Sequence, residues 1–175
     1  TLSDLEAIRT INQENIPEVS DIESIERLQQ LIDWSSHVIV VRDEVVAGFI
    51  ILMREDQNYE SPNYDFFNSK KEPFLYVDRI AIQESYQRKG LGKLIYDKVI
   101  EIGKELDINV TCEVNTVPRN TPSLAFHAGF GFEKEAGHWV MKPFFKDHTS
   151  YGAVLAMVTP PLFALLFFKR FSPFI

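Results

Sequence analysis

The stretch from Val77 to Tyr96, VDRIAIQESYQRKGLGKLIY, constrains the fold more than any other part of the chain. Val77 to Ile82 alternates apolar and polar residues and closes on Ile80, Ala81 and Ile82, the pattern of a strand that ends buried. From Leu91 the apolar Leu94, Ile95, Val99 and Ile102 recur at helical spacing, with Lys93, Asp97, Lys98 and Glu101 opposite. Between strand and helix lies Gln87-Arg88-Lys89-Gly90-Leu91-Gly92, a basic glycine turn. First-turn N–H groups of a helix lack internal partners, the helix dipole adds partial positive charge, and glycine lets an anion approach the backbone. The turn is therefore expected to bind phosphate, although glycines also serve close packing. It is not a P-loop, and Ile95 stands where the dinucleotide fingerprint needs its third glycine.

Size and charge narrow the rest. A chain of 175 residues with 45% hydrophobic content is expected to bury one sizeable core in one domain. A net charge of -7 argues against nucleic acid as a partner, which needs a broad basic surface. The single Cys112 cannot form an intrachain disulfide, and no CxxC motif or Cys/His cluster is present. No basic region followed by an apolar run opens the sequence. The expectation is a metal-free, cytoplasmic protein.

Ser3 to Asn15 predicts a helix with Ser3 and Glu6 as a capping box, ended by Pro17. Asp21 to Trp34 predicts a second, with Ile22, Ile25, Leu28, Leu31 and Ile32 as its buried stripe. Val38 to Val41 and Val45 to Met53 read as a hairpin, with Gly48 marking a bulge or close backbone approach. Arg54 to Glu72 has no clear period and reads as a long loop. Its aromatics Tyr59, Tyr64, Phe66 and Phe67 either line a pocket or pin the loop to the core. Asn109 to Asn115 reads as a strand and Pro118 to Ala128 as a helix. Strand–helix–strand–helix order implies adjacent parallel strands, with ligand at their carboxyl ends.

Gln87 to Gly92 resembles the Q/R-x-x-G-x-G/A signature of the GCN5-related N-acetyltransferase (GNAT) superfamily. A second segment, Asn115 and then Asn120-Thr-Pro-Ser-Leu-Ala-Phe126-His127 followed by Gly131-Phe132, resembles that family's N-x-x-A-x-x-F-Y-x-x-x-G-F motif. The resemblance covers roughly Ser3 to Phe132. It implies an α/β GNAT fold: a mixed, mostly antiparallel sheet with a splayed parallel strand pair, flanked by about four helices. It also implies acetyl-CoA as co-substrate. The pyrophosphate would lie on Gln87, Arg88, Lys89, Gly90, Leu91, Gly92 and Lys93, and the pantetheine arm along the backbone of Ile80, Ala81 and Ile82. Asn115, Asn120 and Phe126 belong to the second motif and are expected on the cofactor side. The usual first strand is missing before Ser3.

Acetyl transfer to an amine needs a neutral amine and a proton returned to the leaving thiolate, so a base and an acid are required. Counting back from Ile82, the family's frequent strand Glu falls on Asp78, and Glu113 on the neighbouring strand competes with it. Either carboxylate has the plainer reading of an ion pair with Arg79 or a lysine. His127 stands where the family typically has Tyr, and is the candidate acid or thiol ligand; alternatively it is a helix residue with no chemistry.

Residues 1–160 are expected to form the acetyltransferase domain and 161–175 an apolar, aromatic-rich tail. Gly152 to Phe168 is uncharged but interrupted by Pro160-Pro161. Ala153 to Val158 is assigned to the sheet's last strand, and Trp139 to Thr149 to an enlarged connection. The tail then serves packing, homodimer formation or membrane contact, with packing preferred. The leading expectation is an enzyme that acetylates a small-molecule or peptide amine. The alternatives are an inactive acyl-CoA sensor and a membrane-attached partner protein.

Overall fold

The structure is a computed structural model that describes residues 2–114, 119–135, 138–141 and 170–173. Helices α1 (Leu2–Glu14) and α2 (Ile25–Trp34) precede an antiparallel hairpin of β1 (Ser35–Arg42) and β2 (Val46–Met53). Helix α3 (Pro62–Asn68), strand β3 (Phe74–Ile82), helix α4 (Leu91–Leu106), strand β4 (Asn109–Cys112) and helix α5 (Thr121–Gly129) follow. Strands β5 (Glu133–Glu135), β6 (His138–Met141) and β7 (Arg170–Pro173) complete one sheet in the order β5-β6-β4-β3-β2-β1-β7. Among the described strands only β3 and β4 pair in parallel. The fold is the expected mixed, mostly antiparallel α/β architecture, with five helices among the described residues where about four were expected.

The sheet buries both faces, which is why β1 and β2 read as near-continuous apolar runs. Val38, Val40, Phe49, Ile51 and Met53 pack with Ile8, Ile11, Leu28 and Leu31 of α1 and α2. Ile39, Val41, Ile50 and Leu52 pack on the other face with Leu91, Ile95 and Val99 of α4. Strand alternation thus feeds two cores from one hairpin. Gly48 lies beside a register shift between Val41 and Arg42, and a Cβ there would stand 3.0 Å from the Ala81 carbonyl oxygen, so bulge and close approach coincide.

Four local expectations are corrected. Helix α2 starts at Ile25, because the Ser24 hydroxyl accepts from the Arg27 N–H as an N-cap; Ile22 is still buried, but from extended chain. Arg54 to Glu72 contains α3, with Ser61 as N-cap and Pro62 at the first helical position, a signal that was present in the sequence. Helix α5 begins at Thr121, since Asn120 caps it. The strand beside β4 is His138–Met141, so Trp139 to Met141 is sheet and not connection. Strand β6, itself paired with the three-residue β5, satisfies the β4 edge sooner than composition suggested. Ala153 to Val158 lies outside the described residues, while Arg170–Pro173 pairs with β1.

Candidate active site

Parallel pairing of β3 with β4 runs from Phe74↔Asn109 to Val77↔Cys112 and stops. Beyond it β3 continues through Asp78 to Ile82, held by β2 on one side only, among the described residues. The pair therefore splays at its carboxyl end, leaving backbone groups of β3 open to an extended ligand. Toward its end the Ile82 carbonyl is already engaged, accepting from Gln87 Nε2 at 3.1 Å and Asn15 Nδ2 at 3.2 Å. Gln87 thus braces the strand against α1 and the turn.

The turn after β3 has Arg88 and Gly90 in the left-handed region, at φ 58° and 84°, and Gly90 is the residue before α4. A Cβ built on Gly90 meets nothing within 4 Å, so open space lies over the helix N-terminus where an anion would sit. Arg88 and Lys89 are exposed beside it. Lys93 is paired with Asp97 at 2.7 Å on the exposed face, and Leu91 sends its side chain into the core, leaving its N–H for the turn. Gly92 serves close packing instead, since a Cβ would lie 3.5 Å from Ile82 and 3.6 Å from the Phe126 ring, where the turn meets α5. The residues fit a nucleotide diphosphate and a pantetheine arm.

A bulge interrupts β3 just past the end of the parallel pairing. Ile51 pairs with Arg79 and Leu52 with Val77, which leaves Asp78 as the extra residue on β3. It shifts the strand's phase, so Tyr76 and Ala81 belong to the α1–α2 core while Val77, Ile80 and Ile82 face the α4 core. Arg79 is consequently swung to the α1 side and buried, with Nη1 donating to Asn12 Oδ1 and the Ser20 carbonyl, both at 3.1 Å.

Asp78 and Glu113, the two candidate bases, share this region but differ in environment. Asp78 has a side chain 2% exposed, accepts from Tyr59 Oη at 2.5 Å on one oxygen, and pairs with Arg79 Nε at 2.6 Å on the other. Glu113, one residue beyond β4, accepts from Tyr76 Oη at 3.1 Å and from Asn63 Nδ2. Burial pushes its carboxyl up to about 7, opposed by the Tyr76 hydrogen bond and aided by the Asp78 charge. Burial likewise raises the Tyr59 and Tyr76 phenols, with Asp78 and Glu113 as the next-largest causes respectively, so both hydroxyls stay protonated donors.

His127 lies on the inward face of α5 and is 4% exposed. Its Nδ1 donates to the Ser123 carbonyl at 2.7 Å, which leaves Nε2 to accept from the Tyr96 hydroxyl at 2.6 Å. Burial lowers its pKa, only partly offset by the Ser123 bond, and the ring is held neutral. Phe126 lies against Gly92, with its ring 5.1 Å from that of Tyr96 and 5.4 Å from that of His127. Asn120 Oδ1 accepts from the Ser123 N–H at 3.0 Å. Asn115 lies outside the described residues. Tyr64 and Phe67 are core residues, whereas Tyr59 reaches the site. Sequence reading passed over Tyr76 and Asn63, although Tyr76 sits two residues before Asp78 on one strand. Among the described residues no cluster of three His, Cys, Asp or Glu side chains is arranged to hold a metal ion. Nor is any helix among them long and apolar enough to cross a membrane.

Solved structures share this arrangement of elements. A Desulfovibrio desulfuricans protein assigned to the GNAT family superposes with TM-score 0.60 at 16% identity, over 82% of this chain and 94% of its own. Ard1 of Thermoplasma volcanium does so with TM-score 0.58 at 19% identity, over 81% and 90%. Arabidopsis thaliana NAA60, solved with acetyl-CoA, has TM-score 0.56 at 20% identity, over 79% and 90%. The family model described as "Acetyltransferase (GNAT) family" matches residues 5–132, from α1 through the Gly131-Phe132 turn. With its splayed strand pair, its glycine turn and most of its length inside that match, the chain belongs to the GNAT acetyltransferase family.

Proposed function

We propose that this protein transfers the acetyl group of acetyl-CoA to a primary amine of a small molecule or peptide by direct attack. The observation that carries the reading is the end of β3–β4 pairing at Val77↔Cys112, which opens between the Gly90 turn on one side and Glu113 on the other. Acetyl-CoA supplies an acyl group already activated as a thioester. Arg88, Lys89 and the first-turn N–H groups of α4 hold its phosphates, and the open backbone from Asp78 to Ala81 orients the pantetheine arm.

Glu113 is the base in this reading. Of the two carboxylates it is the one free of a guanidinium partner among the described residues, and its carboxyl titrates near neutrality, where proton acceptance and release are both accessible. Asp78 instead holds Arg79 and Tyr59 in place. His127, with both ring nitrogens bonded inside the protein, fixes Tyr96 and the α4–α5 contact behind Phe126 and is assigned a positioning role. Water then returns the proton to the thiolate.

Free-thiol release from acetyl-CoA is the test, read on a panel of amines, polyamines, antibiotics and peptides. Release that depends on one acceptor class and is lost in Gly90→Glu supports transfer. CoA binding without release on every acceptor would instead mark an acyl-CoA sensor.

A further inference from the structure

The β2–β3 connection, read from sequence as a loop, reaches both carboxylates at the splay. Within five residues Tyr59 donates to Asp78, the Ser61 side chain reaches the Tyr76 hydroxyl, and Asn63, the second residue of α3, donates to Glu113. The geometry is specified by the fold of the segment itself: Ser61 caps α3, the Asp65 N–H bonds the Ser61 carbonyl at 2.9 Å, and Tyr64 is fully buried between Phe74 and Tyr76. With Tyr64 anchored inward, its neighbour Asn63 is exposed and turned to Glu113.

We propose that Asn63 is a positioning residue for the acetyl transfer, holding the Glu113 carboxylate in its ionised form and aimed at the acceptor nitrogen. The inference rests on the assignment of Glu113 as base. One Glu113 oxygen takes the Tyr76 hydroxyl and the other the Asn63 amide, so the carboxylate is held from two elements at once. Among the described side chains, the titratable groups facing Glu113 are Tyr76 and Asp78 from β3 and its chain neighbour Cys112 at the end of β4. The Asp78 charge favours protonated Glu113, while the N–H of Asn63 and O–H of Tyr76 favour the carboxylate. Asn63 is the exposed member of this set, so it can be changed without opening the core.

The Glu113 carboxyl is followed by carbon NMR on protein labelled at glutamate carboxyls, with Glu113→Gln identifying the signal. In parallel the pH profile of kcat/KM is taken for an amine that gives thiol release. Asn63→Ala is expected to raise the Glu113 midpoint and the acid limb by about one pH unit, the loss of one donor to a charged acceptor. Asn63→Asp, which adds a like charge, moves them further. Asn68→Ala is the control: Asn68 Oδ1 accepts from the Asp56 N–H at 3.0 Å, so this variant loosens the same segment but leaves the midpoint unchanged. A midpoint unmoved in Asn63→Ala, or moved equally in Asn68→Ala, overturns the inference. If Glu113→Gln works at the wild-type rate, the base assignment fails and the inference with it. If Glu113→Gln is crippled while Asn63→Ala titrates as wild type, the inference alone fails.

Discussion

The Tyr96 hydroxyl stands 2.6 Å from Nε2 of His127, joining the helix that begins at the glycine turn to the helix that carries Phe126. The same hydroxyl also meets the Cys112 thiol, so α4, α5 and β4 converge on one buried oxygen.

This bond gives a stability prediction with a sign. Burial depresses the folded-state pKa of His127 below 6.5, so the unfolded chain binds the proton more readily. The contribution is fully present above the unfolded value and is lost as pH falls through the folded one. His127→Phe should therefore lower stability at pH 8 by about 1–3 kcal/mol through the lost hydrogen bond, yet flatten the fall in stability below pH 6.5. Urea unfolding at several pH values measures both. Turnover should stay within several-fold of wild type; a loss beyond about a hundredfold would restore His127 as an acid.

Glu113→Gln should lower kcat/KM by about 10² to 10⁴ and remove the acid limb near pH 7. The rate of wild type should fall as pH drops through that value, because a protonated carboxyl accepts nothing. Asp78→Asn should act chiefly on folding. It strands Arg79 without its carboxylate partner at a site where both side chains are under 5% exposed, costing about 3 kcal/mol. Thermal unfolding beside initial rates separates the two effects.

Gly90→Glu should abolish CoA binding while the fold persists, because its side chain enters the open space over the α4 N-terminus and repels the diphosphate. Gly90→Ala, at φ 84°, should cost about 1 kcal/mol of stability and weaken binding far less. Calorimetry showing unchanged CoA affinity in folded Gly90→Glu would falsify the phosphate assignment.

Gly103→Ala should destabilise the protein by about 1–3 kcal/mol, although alanine is the better helix former by about 1 kcal/mol. The added Cβ would stand 2.6 Å from Val110 Cγ2, where α4 meets β4. Val110→Ala in the same chain should restore part of the loss, and a double-mutant cycle by chemical denaturation reads the coupling.

The sequence determined the strand–turn–helix from Val77 to Tyr96, the amphipathic helices and the apolar hairpin, because each follows from local spacing and composition. It also contained the caps Ser24, Ser61 and Asn120, which fixed the helix starts more sharply than hydrophobic spacing did. Tertiary structure decided the rest. Simple alternation puts Val77, Arg79 and Ala81 on one face; the bulge at Asp78, set by pairing with β2, breaks that phase and buries Arg79 against α1 instead. Whether Asp78 or Glu113 is tied to a guanidinium depended on which one Arg79 reached, a contact whose geometry the sequence leaves open. Asn63 and Glu113 are fifty residues apart, and His127 and Tyr96 thirty-one, so their contacts exist only once the fold has brought α3 to the end of β4 and α4 to α5. Local pattern fixes elements because its forces act within a turn or a strand; protonation and side-chain partnership depend on burial and neighbours, which only the assembled fold supplies.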